Sequence, residues 1–124
     1  MKNLMFIALG GAGGALARYG LHWLVHGADA VRFPWATLIV NAAGSFLIGV
    51  AYVMIVERSW LHPDWRGVLM VGFLGAFTTF STFSLETLAL FESGRFGLAL
   101  AYMGLSLMLC LLSVWAGMTL LRLL

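Results

Sequence analysis

The sequence predicts an all-α integral membrane protein, and its composition and charge spacing carry that prediction. Of its 124 residues, 62% are hydrophobic and 10% are charged, whereas a soluble domain is usually about 45–50% apolar and about 25% charged. The mean hydropathy is +0.99. Its 7 basic residues are scattered rather than clustered, which argues against a nucleic-acid partner. The apolar composition indicates the lipid bilayer instead. We expect one four-helix transmembrane domain over residues 1–124.

The charged residues separate four long apolar stretches, and about 20 apolar residues span the hydrocarbon core as a helix. Helix one is predicted over residues 4–26, a length it reaches only by passing through Arg18. The first residues also resemble a signal peptide, but their glycines and the continuation through Arg18 favour a retained helix. Helix two is predicted over residues 33–56, an uncharged stretch long enough to span with some tilt.

Helices three and four are predicted over residues 67–91 and 96–121. Helix three passes through five Ser and Thr residues within Thr78–Ser84, shortly after Gly72 and Gly75. Hydroxyl side chains compete with backbone hydrogen bonding, so we expect a break in this helix. Irregular backbone at membrane depth persists only where it faces protein or a water-lined cavity. The alternative is a helix that is merely bent by hydroxyls bonded to carbonyls four residues earlier.

Four crossings place both ends of the chain on one side of the membrane. Four basic residues lie on that side (Lys2, Arg58, Arg66 and Arg122) and three on the other (Arg18, Arg32 and Arg95). Positive charge normally sets orientation, and this count gives almost no bias. The sequence therefore permits insertion in both orientations, and an antiparallel dimer.

Helix one carries small residues at four-residue spacing, as in Gly10 and Gly14 or Gly13 and Ala17. Such faces let two helices approach closely. They indicate packing either within one subunit or between subunits, and the sequence leaves both open.

Phe80 and Phe83 are three residues apart and share a face of helix three. A Phe pair is usually packing, but this one is interleaved with hydroxyls at Thr79, Ser81 and Thr82. Ring edges carry partial positive charge and hydroxyls donate hydrogen bonds. No carboxylate shares this short stretch, so the pattern favours a small dehydrated anion over a cation.

Two other helices carry matching polar stripes. They comprise Thr37, Asn41 and Ser45 on helix two, and Tyr102, Ser106 and Ser113 on helix four. The three residues of helix four lie within about 40° of one another at 100° per residue. Each hydroxyl alone is explained by interhelical hydrogen bonding. Three stripes of donors without opposing charges favour an anion path.

Two charges inside predicted helices are candidates for a vestibule, because intramembrane charges are costly. Arg18 either extends to the membrane surface or gives a vestibule its positive field. Glu86 either gates a mouth or is simply solvated. No nucleophile–base arrangement or phosphate-binding loop is present, so we do not expect an enzyme.

Three motifs carry a family resemblance that spans the whole chain. They are GGAGGALARY at Gly10–Tyr19, TLIVNAAG at Thr37–Gly44 and GFLGAFTTFSTF at Gly72–Phe83. In their order and spacing the sequence resembles the fluoride-specific ion channels of the Fluc (CrcB) family. The third motif is the most specific of the three.

The resemblance implies an antiparallel dual-topology homodimer with two pores in the inner membrane, through which cytoplasmic fluoride leaks out passively. It implies that Phe80 and Phe83 face the anion and that Asn41 is a pore donor. The polar track would include Thr37, Ser81, Thr82, Tyr102 and Ser106. It also implies a structural sodium ion at the dimer interface, bound by backbone carbonyls of Gly75 and Thr78 from each subunit. Cys110 departs from the pattern, because a further hydroxyl is expected there and a thiol is a weak donor.

Two other functions fit the composition. A small multidrug-type cation exchanger has similar size and topology, but it needs a membrane-embedded acid in helix one, which this sequence lacks. A non-transporting membrane assembly subunit would explain the glycine faces, but not three stripes of hydroxyls.

Overall fold

In the computed structural model, which describes residues 2–26 and 33–124, the chain consists of helices joined by short connections. The five α-helices are α1 (Lys2–His26), α2 (Trp35–Tyr52), α3 (Gly75–Phe77), α4 (Phe80–Glu92) and α5 (Phe96–Leu123). Two segments are π-helical: Val53–Glu57 continues α2, and Arg66–Leu74 leads into α3. No strand occurs in the described ranges.

Within the described ranges, four helical stretches are long and apolar enough to cross a membrane. They are Asn3–Val25, Trp35–Glu57, Arg66–Glu92 and Phe96–Leu123. Their bounds agree closely with the four predicted helices, so the all-α, four-span prediction is confirmed. Arg32, which entered the charge count for orientation, lies outside the described residues.

The third span changes conformation near its middle. Between α3 and α4, Thr78 (φ −78°, ψ 159°) and Thr79 (φ −152°, ψ 115°) have extended backbone torsions. The side chain of Thr79 accepts a hydrogen bond from the Thr82 N–H, which makes it the N-cap of α4. Thr and Ser are favoured at such positions because their oxygens satisfy a free amide of the first helical turn.

Glycines set the close helix packing around this span. A Cβ atom on Gly10 would collide with the Val68 carbonyl, and one on Gly14 with the Phe73 carbonyl. Both partners belong to the π-helix Arg66–Leu74, so α1 packs directly on the backbone of the third span. Of the two alternatives for these two glycines, the structure shows packing within the chain.

Helix α2 crosses α5 in the same manner. A Cβ on Gly117 would meet the Phe46 carbonyl, and one on Gly49 would meet the Val114 carbonyl. Beyond the crossing, Arg122 donates to both carboxylate oxygens of Glu57, over 2.6 and 3.0 Å. The ends of the second and fourth spans are therefore held together at the surface.

Candidate functional site

Asn41 on α2 holds the extended segment of the third span through the backbone of Thr79. The Thr79 N–H donates to Asn41 Oδ1 over 2.8 Å, and Asn41 Nδ2 donates to the Thr79 carbonyl over 3.0 Å. Thr79 is 6% exposed, so its peptide groups need protein partners. One side-chain amide replaces the helical hydrogen bonds that the extended torsions remove.

The neighbouring glycine of α2 makes this approach possible. A Cβ at Gly44 would collide with Cγ2 of Thr78 and lie 3.2 Å from the Phe77 ring. Thr78 turns its own hydroxyl to the Leu74 carbonyl over 2.9 Å. Close contact at Gly44 and the paired hydrogen bonds of Asn41 together fix where the third span meets α2.

The hydrogen bonds around the extended segment divert the helical donors of two carbonyls, those of Gly75 and Thr78. In a continuous α-helix the Thr79 N–H would bond to the Gly75 carbonyl and the Thr82 N–H to the Thr78 carbonyl. Here the first donates to Asn41 and the second to Thr79 Oγ1 over 3.2 Å. The two carbonyls that the family resemblance assigns to a cation are thus among those whose helical donors are diverted.

A cavity of about 340 Å³ lies beside the extended segment. Four predicted pore residues line it, namely Asn41, Phe80, Phe83 and Ser106, and so does Cys110. Thr78, Thr79 and Ser45 add further polar groups to its wall. The structure therefore brings residues of α2, α4 and α5 to one cavity.

The two phenylalanines differ in their surroundings. Their ring centroids lie 5.6 Å apart, with the planes tilted by 43°. Phe80 is 79% exposed. Phe83 is partly buried, and its ring centroid lies 5.1 Å from that of Tyr102. Both line the cavity, and Phe83 also links it to the packed interior.

Ser106 contributes a buried hydroxyl group to the cavity wall. It is 7% exposed, and its Oγ has no hydrogen-bond partner in the part of the chain that the structure describes. Buried hydroxyls are normally satisfied by protein or water. Ser106 thus offers a donor to whatever occupies the cavity.

Two predicted pore hydroxyls belong instead to the start of α4. Thr79 Oγ1 donates to Thr82 Oγ1 over 2.9 Å and lies 3.4 Å from Ser81 Oγ. Neither Ser81 nor Thr82 lines the cavity. Their hydroxyls serve the N-terminal turn of the helix, which sequence spacing did not reveal.

Thr37 and Tyr102 also lie outside the cavity wall, and both are bound to Glu86. The Thr37 hydroxyl donates to Glu86 Oε1 over 2.8 Å, and the Tyr102 hydroxyl donates to Oε2 over 2.7 Å. Both donors are fully buried. His22 Nε2 of α1 lies 3.4 Å from Thr37 Oγ1. Three spans therefore meet at the Glu86 carboxyl group, and α1 reaches this cluster through the contact of His22 with Thr37.

The remaining vestibule candidate, Arg18, is half-buried on α1. It makes no hydrogen bond or ion pair with residues 2–26 or 33–124, and it does not line the cavity. The apolar part of the wall was also missed from sequence. It comprises Ile48, Leu74, Met103 and Leu107, which carry no pattern that distinguishes them from lipid-facing residues.

Comparisons with known proteins agree on one family. The family described as "CrcB-like protein, Camphor Resistance (CrcB)" matches residues 5–118. A protein of Hahella chejuensis named "Fluoride-specific ion channel FluC" is 49% identical over 123 residues, covering 99% of this chain and 97% of the relative.

Two further relatives carry the same name. The Saccharophagus degradans protein is 53% identical over 110 residues, covering 87% of this chain and 80% of the relative. The Methylococcus capsulatus protein is 51% identical over 120 residues, covering 97% of this chain but 53% of the relative. By the extent of the family match and these identities, the chain belongs to the CrcB family, and the three relatives are named fluoride-specific ion channels.

Proposed function

We propose that this protein is a fluoride-selective channel that lets fluoride leave the cytoplasm passively and so limits its toxicity. The observation that carries the proposal is the cavity, where the rings of Phe80 and Phe83 share a wall with the unpartnered hydroxyl of Ser106. Its relatives are named fluoride-specific ion channels, and an ion channel is not an enzyme.

The chemistry of the wall suits a small, strongly hydrated anion. A selective pore must replace the hydration shell while binding weakly enough for the ion to leave. Hydroxyl and amide donors at Ser45, Asn41 and Ser106 meet the first need, and ring edges add weak positive potential. Among residues 2–26 and 33–124, no Lys or Arg lines the cavity, so the described wall holds the anion by no fixed positive charge.

The working unit we propose is an antiparallel dual-topology homodimer in the inner membrane. The nearly balanced count of basic residues on the two sides supports insertion in both orientations. The 79% exposure of the Phe80 ring supports a second copy, because a ring that faces an ion path needs an opposite wall. The extended pair Thr78 and Thr79 is then the functional break in the third span.

A structural sodium ion at the dimer interface fits the backbone of this chain. The donors that a helix would supply to the Gly75 and Thr78 carbonyls are diverted, and a hard cation prefers such oxygen ligands. Two carbonyls from each subunit would form the ligand set. When bound, the ion supplies positive charge and cross-links the two subunits.

The polar groups outside the cavity belong to the two ends of the proposed path. We assign Arg18 to a vestibule, where its charge would raise the local concentration of anions. Glu86 lies with Thr37 and Tyr102 and accepts a hydrogen bond from the hydroxyl group of each. Fluoride that reaches those hydroxyls competes with the carboxyl group for them.

The decisive experiment is anion efflux from liposomes that contain the purified protein. Fluoride and chloride electrodes record release, valinomycin clamps the voltage, and protein-free vesicles provide the background. We expect rapid fluoride release and no chloride release above background. Equal release of both ions contradicts selectivity, and release of neither from a dimeric preparation contradicts the channel. Fluoride release that required a pH gradient would instead favour an exchanger.

A further inference from the structure

The paired hydrogen bonds between Asn41 and Thr79 give Asn41 a role beyond that of a pore donor. We infer that Asn41 is a positioning residue of the cation site: by accepting the Thr79 N–H, it keeps the Gly75 carbonyl available as a ligand. This inference rests on the proposed sodium site. It makes one side chain of α2 responsible for both the anion path and the cation site.

The geometry supports each step of this assignment. The Thr79 N–H lies 2.8 Å from Asn41 Oδ1, and its peptide is buried. A buried N–H must have an acceptor. Without the Asn41 side chain, the acceptor four residues earlier along the chain is the Gly75 carbonyl, the partner that a continuous α-helix would use.

The other carbonyl is kept available by a group of the third span itself. Thr79 Oγ1 accepts from the Thr82 N–H over 3.2 Å, which diverts the donor of the Thr78 carbonyl. The two ligands are thus controlled separately, one from α2 and one from within the span. Loss of Asn41 should affect the Gly75 ligand first.

The same contacts explain why α2 can reach the segment at all. Gly44 lies one turn after Asn41, where a Cβ would collide with Thr78 Cγ2. The small residue brings the backbones close, and the Asn41 amide then accepts from the Thr79 N–H and donates to the Thr79 carbonyl. Position 41 therefore needs a side chain with one acceptor and one donor, which is the pattern of Asn.

The peptide bond between Thr78 and Thr79, when labelled, reports both the contact with Asn41 and the binding of sodium. Thr78–Thr79 is the only Thr–Thr pair in the chain, so a protein made with 13C-carbonyl and 15N-labelled threonine gives a single carbonyl–nitrogen NMR correlation. That signal contains the Thr78 carbonyl and the Thr79 amide. Titrating the dimer with sodium chloride, with potassium as the replaced ion, should move it in the wild type.

We expect Asn41→Ala to shift the Thr79 amide signal and to weaken apparent sodium affinity about tenfold, equivalent to about 1.4 kcal/mol. Ser45→Ala is the matched control, because Ser45 is one turn away on the same wall and makes no hydrogen bond to the described residues of the third span. It should leave sodium affinity unchanged. Sodium affinity of wild-type strength in Asn41→Ala overturns the assignment.

Asn41→Asp is the second variant to be measured, and it replaces Asn41→Ala if that protein does not assemble. Aspartate keeps an acceptor for the Thr79 N–H but loses the amide donor and adds negative charge. Retained sodium binding with lost fluoride flux supports the inference, whereas loss of sodium binding overturns it. If the wild-type signal does not move on addition of sodium while fluoride flux is intact, the sodium site itself is contradicted, rather than the role of Asn41.

Discussion

Tyr102 and Glu86 are joined by a hydrogen bond of 2.7 Å from the phenol to the carboxyl oxygen Oε2. The phenol comes from the fourth span and the carboxyl from the third, and Thr37 of the second span donates to the other oxygen. A carboxyl group within a span is costly unless it is paired. These contacts show how the chain accommodates it.

The first prediction removes one of these donors. Tyr102→Phe leaves Glu86 Oε2 without its phenol, and an unsatisfied buried acceptor costs about 1–3 kcal/mol. We expect the free energy of unfolding in detergent to fall by that amount. Tyr19→Phe is the control, because Tyr19 is 73% exposed and should show no change. Equal stability of both variants would show that the hydrogen bond contributes nothing.

The sequence predicted the parts of the fold that depend on charge spacing and composition. The spans follow from where Arg32, Glu57, Arg66 and Arg95 interrupt the apolar stretches. The run of hydroxyls marks the place where the structure has two extended residues. These features are local, so they can be derived from neighbouring residues.

Other features depend on which spans contact each other, and those contacts cannot be read directly from the sequence. Asn41 was predicted as a pore donor, and its additional hydrogen bonds to the backbone N–H and carbonyl of Thr79 could not be foreseen, because they depend on the close approach that Gly44 permits. Tyr102 and Thr37 looked like further members of a polar stripe, yet they bind Glu86. The π-helical turns also arise without a visible signal, since an i→i+5 pattern reflects packing more than residue type.

The second prediction concerns packing of the first span. Gly14→Ala should destabilise the protein by about 1–3 kcal/mol, because the added methyl group collides with the Phe73 backbone, which cannot rotate away. Gly20→Ala lies on the same helix with open space around it. It should be neutral or stabilising by up to about 1 kcal/mol. Thermal unfolding of both variants in the same detergent measures the difference.

If Gly14→Ala unfolds at the wild-type temperature, the tight approach of α1 to the third span is not what stabilises the chain. A variant that keeps its stability but becomes monomeric would instead place this glycine at a subunit interface.

The third prediction separates the two rings of the cavity. Replacing Phe80 or Phe83 by Ile should each lower fluoride flux about tenfold, which is about 1.4 kcal/mol of barrier, because Ile has no positive ring edge. Only Phe83→Ile should also lower stability, since Phe83 packs on Tyr102 whereas Phe80 is largely exposed. The control for flux is Phe6→Ile, because Phe6 lies on α1 and does not line the cavity.

The measurements are the liposome efflux assay and thermal unfolding of the same preparations. Wild-type flux in a correctly assembled Phe80→Ile or Phe83→Ile variant removes that ring from the proposed path. A loss of stability in both would mean that the drop in flux reports unfolding rather than permeation.

The last prediction uses the single cysteine of the chain, Cys110, which lines the cavity one turn beyond Ser106. A small methanethiosulfonate should modify it: the Cys110 thiolate attacks the sulfenyl sulfur, a disulfide forms and methanesulfinate leaves. The attached group fills part of the cavity, so fluoride flux should fall.

Cys110→Ser should resist the reagent and conduct at least as well, because a hydroxyl is a stronger donor than a thiol. Mass spectrometry verifies the modification. Full labelling without loss of flux would place this end of the cavity outside the permeation path, and absence of labelling would show that the thiol does not face an aqueous route.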